Sequence, residues 1–267
     1  MRLAVVYLAR AANDPRWLRF FLASLVRFEA GTSYDLAIIA KGFDEKPIRG
    51  LENANAPGLS QIIRHDASDE TFATNTFFDV ARVLDHDAIL FFVSWARILA
   101  PNWGRIMMDG LTRDRTGVVG GSAGWEALDP ALTPFPNPSI RTTGFCIRRN
   151  TWLALDPGPL KEKRDGNLFE AGPNSMTRQI EAMGLQPLVA GRDGTYFECK
   201  DWPSSRTFRS GDQENLLFAD NRTQDYATGS LRRRRKLARL NWGEKAEVSS
   251  IGLAQRLRRR FWWKYDR

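Results

Sequence analysis

Ala88-Ile-Leu-Phe-Phe-Val93, followed at once by Ser94-Trp95-Ala96, is the stretch on which the fold turns. Six consecutive apolar residues without polar alternation are the mark of a central parallel strand covered on both faces. The segments around it repeat the theme. Leu3 to Leu8 reads as a buried strand, and Tyr34 to Ala40 as a second. Gln61 to Arg64 reads as a short third strand, with Gly117 to Gly120, Gly144 to Arg148 and Pro187 to Ala190 as later ones.

Helical patterns fill the intervals. Asp14-Pro15 opens one, with Asp as cap and Pro at the first turn. Leu18, Phe21, Leu22, Leu25 and Phe28 share a face of it, and Gly31 closes it. Ala73 to Leu84 is a second helix with Phe77, Ala81 and Leu84 inward. Asn102 is placed to cap a third, and Asn174 or Ser175 a fourth that ends at Gly184. Alternating strands and helices predict a mostly parallel sheet with right-handed crossovers, whose ligands sit at the carboxyl ends of the strands.

The 267 residues, 43% of them hydrophobic, suffice for one large core. Two cysteines, Cys146 and Cys199, lie in apolar runs and are expected as reduced thiols, which points to the cytoplasm. Two histidines, His65 and His86, offer none of the spacings a zinc site needs. No run approaches the ~18 apolar residues of a membrane span. G-x-G-x-x-G and P-loop patterns are both absent, which argues against a dinucleotide or P-loop site.

The net charge of +8 concentrates in two segments, Leu231 to Arg239 and Arg256 to Lys264. We therefore divide the chain into an α/β domain over 1–228 and a basic amphipathic segment over 229–267. Leu253, Leu257 and Phe261 fall on one helical face, ringed by arginines and followed by Trp262-Trp263. Such a helix suits an anionic membrane surface. Nucleic acid is a competing partner, but no nucleic-acid-binding motif accompanies the patch.

Several pieces together resemble the nucleotide-sugar glycosyltransferases of family 2, which have the A-type fold. They are Phe21-Leu22-Ala23-Ser24-Leu25, Phe91 to Ala96, Pro101-Asn102-Trp103, and the strand Thr143-Gly144-Phe145-Cys146-Ile147-Arg148-Arg149. Phe169-Glu170-Ala171-Gly172 ahead of a helix completes the order. The resemblance spans residues 3 to 195. It implies a Rossmann-like, mostly parallel sheet flanked by helices, followed here by the basic helical tail. It also implies transfer of a sugar from a nucleoside diphosphate sugar to a glycan or lipid-linked acceptor, in surface polysaccharide assembly at the inner face of a membrane.

One motif departs from the family. Its D-x-D aspartates hold a divalent ion, Mg or Mn, against the donor diphosphate. Here those positions are Ser94 and Ala96, and neither supplies a carboxylate. Cationic side chains can replace the ion, and Arg10, Lys41 and Arg97 follow strands. Ala9, Asp66 and Asn75 complete the expected donor group with Ser94 and Ala96.

Glu170 is the expected general base of an inverting transfer, placed in a loop ahead of a helix, with Asp69 or Asp66 as runner-up. Trp125, Glu126, Arg141, Thr142 and Thr143 flank a loop over 127–139 with prolines at 130, 134, 136 and 138, and are expected at the acceptor. The polar segment 201–226 reads either as a lid or as an extension that holds the tail. Loss of both aspartates leaves open a catalytically silent relative that binds a nucleotide sugar or glycan.

Overall fold

A computed structural model describes residues 1–51 and 54–250. The first half runs β1 Leu3–Arg10, α1 Arg16–Arg27, β2 Tyr34–Lys41, β3 Leu59–Ala67, α2 Ala73–Val83, β4 Ala88–Phe92, β5 Arg97–Ile98 and α3 Trp103–Thr112. There follow β6 Thr116–Gly120, β7 Ala123–Gly124, β8 Ser139–Ile140, β9 Gly144–Arg148, α4 Arg149–Leu153, α5 Lys163–Ala171 and α6 Met176–Ala182. The last are β10 Gln186–Ala190, β11 Tyr196–Phe197, a 3₁₀ turn Cys199–Ser205, β12 Phe218–Ala219, α7 Asn221–Thr228 and α8 Leu231–Trp242.

Eight strands form one sheet in the order β11-β10-β6-β9-β4-β1-β2-β3. β1 pairs in parallel with β2 and β4, β2 with β3, and β10 with β6. β9 runs antiparallel between β4 and β6, and β11 antiparallel to β10. The expected Rossmann-like, mostly parallel α/β sheet is therefore present, with β4 buried along its whole length.

Strand alternation divides the core in two. Val5, Tyr7, Leu36, Ile38, Leu90 and Phe92 face α1 and α3, meeting Phe21, Leu25, Trp103 and Met107. Val6, Leu8, Ile39, Ile89 and Phe91 face the other way, toward Phe77, Trp152, Phe169 and Ile180. Aromatic pairs reinforce both layers: Tyr7 and Phe21 stack at 4.1 Å, and Phe78 and Trp152 at 4.4 Å.

Three local expectations change, and one of two offered caps is decided. The third strand extends over Leu59–Ala67 because its backbone pairs with β2 from Tyr34, through one register shift, as far as Lys41. It is the sheet's edge, and its polar, exposed side chains conceal it from a hydrophobicity reading. Asn102 adopts a left-handed conformation (φ 59°) and makes no side-chain cap. Ser175 does cap α6, accepting from the Arg178 N–H. Glu170 lies in the last turn of a helix, not in a loop. That helix has a polar, Gly-containing sequence without an apolar stripe, and a capping box between Glu162 and Asp165 fixes its start.

Residues 201–250 are packed onto the domain. Trp202 is fully buried and β12 pairs with β5, so the 201–226 segment belongs to the fold. α8 belongs to it as well, although the sequence places it in the basic appendage. Trp242 joins the core, and Arg234, fully buried, donates to the carbonyls of Gly211 and Ser249 at 2.8 Å and pairs with Asp212 at 3.0 Å. The apolar stripe of the tail (Leu253, Leu257, Phe261) lies outside the described residues. No helix among the described residues is long and apolar enough to cross a membrane.

Candidate functional site

The carboxyl edge of the sheet collects charge. Arg10 ends β1 opposite Lys41 at the end of β2, and Lys41 in turn pairs with Ala67 of β3. Asp69, on the turn that leads to α2, lies between the two cations. Arg10 donates to both of its carboxylate oxygens, at 2.6 and 2.8 Å. Lys41 Nζ donates to the Asp69 carbonyl and, at 3.1 Å, to Oδ1. The Arg10 hydrogen bonds foremost, then Lys41, hold the Asp69 carboxyl well below the usual range. Asp69 is thus a weak proton acceptor, and its surroundings make it an ion-pair partner instead of the alternative base.

Two adjoining cavities open here. One, of about 580 Å³, is lined by Arg10, Lys41, Asp69, Phe72, Ser94 and Trp95 among others. The other, of about 270 Å³, is lined by Tyr7, Ala9, Trp17, Phe43, Ile48 and Arg49 among others. Arg10, Asn13 and Ser94 border both, so one crevice has a charged lobe and an aromatic lobe. Of the expected donor residues, Ala9, Arg10, Lys41 and Ser94 meet in this crevice.

The others do not line it. Asp66 makes a two-pronged ion pair with Arg64 on β3, at 2.6 and 2.8 Å. Asn75 is half-buried on α2, with Oδ1 lacking a partner among the described residues. Arg97 is buried with its guanidinium 4.1 Å from the Phe20 ring centre, a packed cation–π contact. Ala96 is buried in the core beneath.

The residues at the D-x-D positions do not fit a divalent ion. The Ser94 hydroxyl donates to the Leu8 carbonyl at 2.7 Å, and the Ser94 carbonyl accepts from the Tyr7 hydroxyl at 2.5 Å. Among the described residues no group of three or more His, Cys, Asp or Glu is placed to hold a metal.

Glu170 reaches the same edge through Thr142. β4 and β9 are antiparallel with Phe92 opposite Gly144, so Ser94 and Thr142 each lie two residues beyond one register position. Glu170 Oε2 accepts the Thr142 hydroxyl in a short bond and the Thr142 N–H at 3.3 Å. Oε1 has no hydrogen-bond partner among the described residues. The end of α5 is fixed from behind, because Asn137 and Thr133 of the Pro-rich loop donate to the Ala171 carbonyl at 2.7 and 3.2 Å. That loop is thus a brace for the helix carrying Glu170.

The expected acceptor residues divide. Thr142 is joined to Glu170, and Thr143 precedes β9 at the edge. Arg141 pairs with buried Asp220 at 2.8 Å and lies 4.0 Å from the Phe208 ring. Glu126 pairs with Arg209 at 2.7 Å. Trp125 packs edge-on against Trp242 at 5.6 Å, with Lys245 over its ring, so it is a packing residue of α8 and no free sugar platform. Trp17 and Trp95, which the sequence reading passed over, stand 4.5 Å apart at the crevice. Trp95 follows the end of β4 closely and Trp17 stands in the first turn of α1, and those positions were the available signal.

No protein-family model and no curated protein matches the chain. Among the solved structures that resemble it, two superpose on it in part. Mouse xyloside xylosyltransferase 1, in its apo form, is 10% identical with a TM-score of 0.40, over 60% of this chain and 70% of that one. The 4-diphosphocytidyl-2C-methyl-D-erythritol synthase of Anaerococcus prevotii DSM 20548 is 12% identical with a TM-score of 0.45, over 71% and 88%. The architecture of this chain stands on its own strand order.

Proposed function

We propose that the chain binds a nucleoside diphosphate sugar in the carboxyl-edge crevice and transfers the sugar with inversion to a glycan or lipid-linked acceptor. The observation that carries this reading is the pair of cations, Arg10 and Lys41, at two adjacent strand ends beside an aromatic lobe. The aromatic lobe suits a base, and the cations suit the diphosphate. Glu170 takes the proton of the acceptor hydroxyl as that oxygen bonds to the anomeric carbon. The bond from that carbon to the diphosphate oxygen breaks on the opposite face, and the cations stabilise the leaving charge. The test is thermal stabilisation by nucleoside diphosphates, which should raise the melting temperature; no shift with any nucleotide would remove the reading.

A second reading, a silent relative that binds the same ligand without turnover, draws on Ser94 and Ala96 in place of carboxylates. A donor that binds but is never consumed distinguishes it.

We place the activity in surface polysaccharide assembly beside an anionic membrane. Arg232, Arg235, Lys236 and Arg239 are exposed on α8 with no acidic group within 4.0 Å among the described residues. Each such cation contributes about 1 kcal/mol near an anionic lipid surface. The full chain should float with phosphatidylglycerol vesicles, and reversal of these four charges to Glu should abolish flotation. Unchanged flotation would exclude α8 as the contact.

A further inference from the structure

The crevice already contains an anion, and it is part of the chain. Arg10 grips Asp69 through Nε and Nη2 at 2.6 and 2.8 Å, the two-pronged geometry by which a guanidinium also grips a phosphate. Lys41, its side chain only 8% exposed, directs its ammonium at the same residue. The cations that the donor reading assigns to the diphosphate are therefore occupied in the free protein.

The occupancy is built in. Gly42, directly after Lys41, has φ 71°, and a Cβ there would come within 2.9 Å of the Asp69 Cβ. Only glycine lets the turn descend this far onto the strand end. The turn is closed by Thr71 N–H to the Ser68 carbonyl and Glu70 N–H to the Ser68 hydroxyl. Asp69 itself remains 42% exposed, with the larger cavity beside it.

We propose that Asp69 is a resident counter-anion, displaced from Arg10 and Lys41 when a diphosphate enters, so that the site selects polyanionic ligands over singly charged ones. The proposal rests on the donor reading for the identity of the ligand. Its physical basis is a charge balance. Two cations against one carboxylate leave a net charge of +1. A singly charged ligand gains little by replacing one carboxylate with another anion of equal charge. A diphosphate brings more charge and more acceptor oxygens, and outcompetes the carboxylate. Lys41 stays held during the exchange, because one of its bonds goes to the Asp69 backbone carbonyl, which remains when the side chain swings away.

Titration calorimetry of inorganic pyrophosphate, inorganic phosphate and nucleoside diphosphates into the full chain, Asp69→Asn and Asp69→Ser tests the idea. Both variants should bind pyrophosphate about tenfold tighter than the wild type, and phosphate should bind the variants measurably. Equal or weaker pyrophosphate binding by folded variants overturns the counter-anion, as does no pyrophosphate binding by any form. Tighter pyrophosphate binding without any nucleoside diphosphate binding keeps the counter-anion and removes the donor reading. Nucleoside diphosphate that binds all forms equally does the reverse. Should neither variant fold, the Arg10 Nε–H resonance of the wild type decides. It should shift as pyrophosphate is added, and an unmoved resonance overturns the proposal.

Discussion

Replacing Glu170 with Gln is expected to lower sugar transfer by about 10²–10⁴-fold while leaving nucleoside diphosphate binding unchanged. The substitution keeps the geometry. A glutamine oxygen still accepts the Thr142 hydroxyl and N–H, and the Asn137 bond to the Ala171 carbonyl still fixes the helix end. What disappears is the capacity to take a proton. The readout is nucleoside diphosphate release from a panel of nucleotide sugars with mixed glycan acceptors. Retained release by the variant would remove Glu170 from the base role. Lost donor binding would make it a positioning residue.

Replacing Asp220 with Ala is expected to cost about 3–5 kcal/mol of folding stability, because it strands a buried guanidinium. Asp220 is 2% exposed, pairs with Arg141 at 2.8 Å, and caps α7 by accepting the Thr223 N–H at 2.7 Å. Burial alone would raise its carboxyl. The Arg141 charge and the Thr223 hydrogen bonds outweigh burial and bring it below its ordinary value of 3.8. A depressed carboxyl stabilises the fold above its unfolded value and loses that contribution as pH falls through the folded one. Wild-type stability should thus decline below about pH 4, and this component of the decline should be missing in Asp220→Asn. Denaturant unfolding at several pH values measures both effects. A loss under about 1 kcal/mol at pH 7 would show that the pair contributes as little as an exposed one.

The scaffold was legible in the sequence because its strands are buried on both faces. Ala88 to Val93 and Tyr34 to Ala40 can hardly be anything but central strands. The edge strand β3 was legible only in part, since backbone pairing defines it and its side chains face solvent. That Arg10 and Lys41 stand at the carboxyl edge was legible because strand ends can be counted. Asp69 was seen, but its ion pair with Arg10 and Lys41 was not, because that pair depends on a turn seated on Gly42. Trp125 and Arg97 misled for a common reason. Residue type suggested ligand contact, but both side chains are taken up by packing, against Trp242 and Phe20. α8 misled through its charge: four consecutive arginines read as part of a basic appendage, yet the helix places one of them, Arg234, inward on the Gly211 carbonyl. Such choices are settled by tertiary contacts, which a local pattern does not contain.

The diphosphate site proposed at Arg10 and Lys41 needs no help from a D-x-D metal. This is tested most directly by melting curves of the wild type and Lys41→Met with a panel of nucleoside diphosphates, with and without Mn²⁺. Stabilisation of the wild type by at least one nucleotide, little affected by Mn²⁺, is expected, with its loss in Lys41→Met. No stabilisation by any nucleotide, or stabilisation that appears only with Mn²⁺ and persists in Lys41→Met, would contradict it.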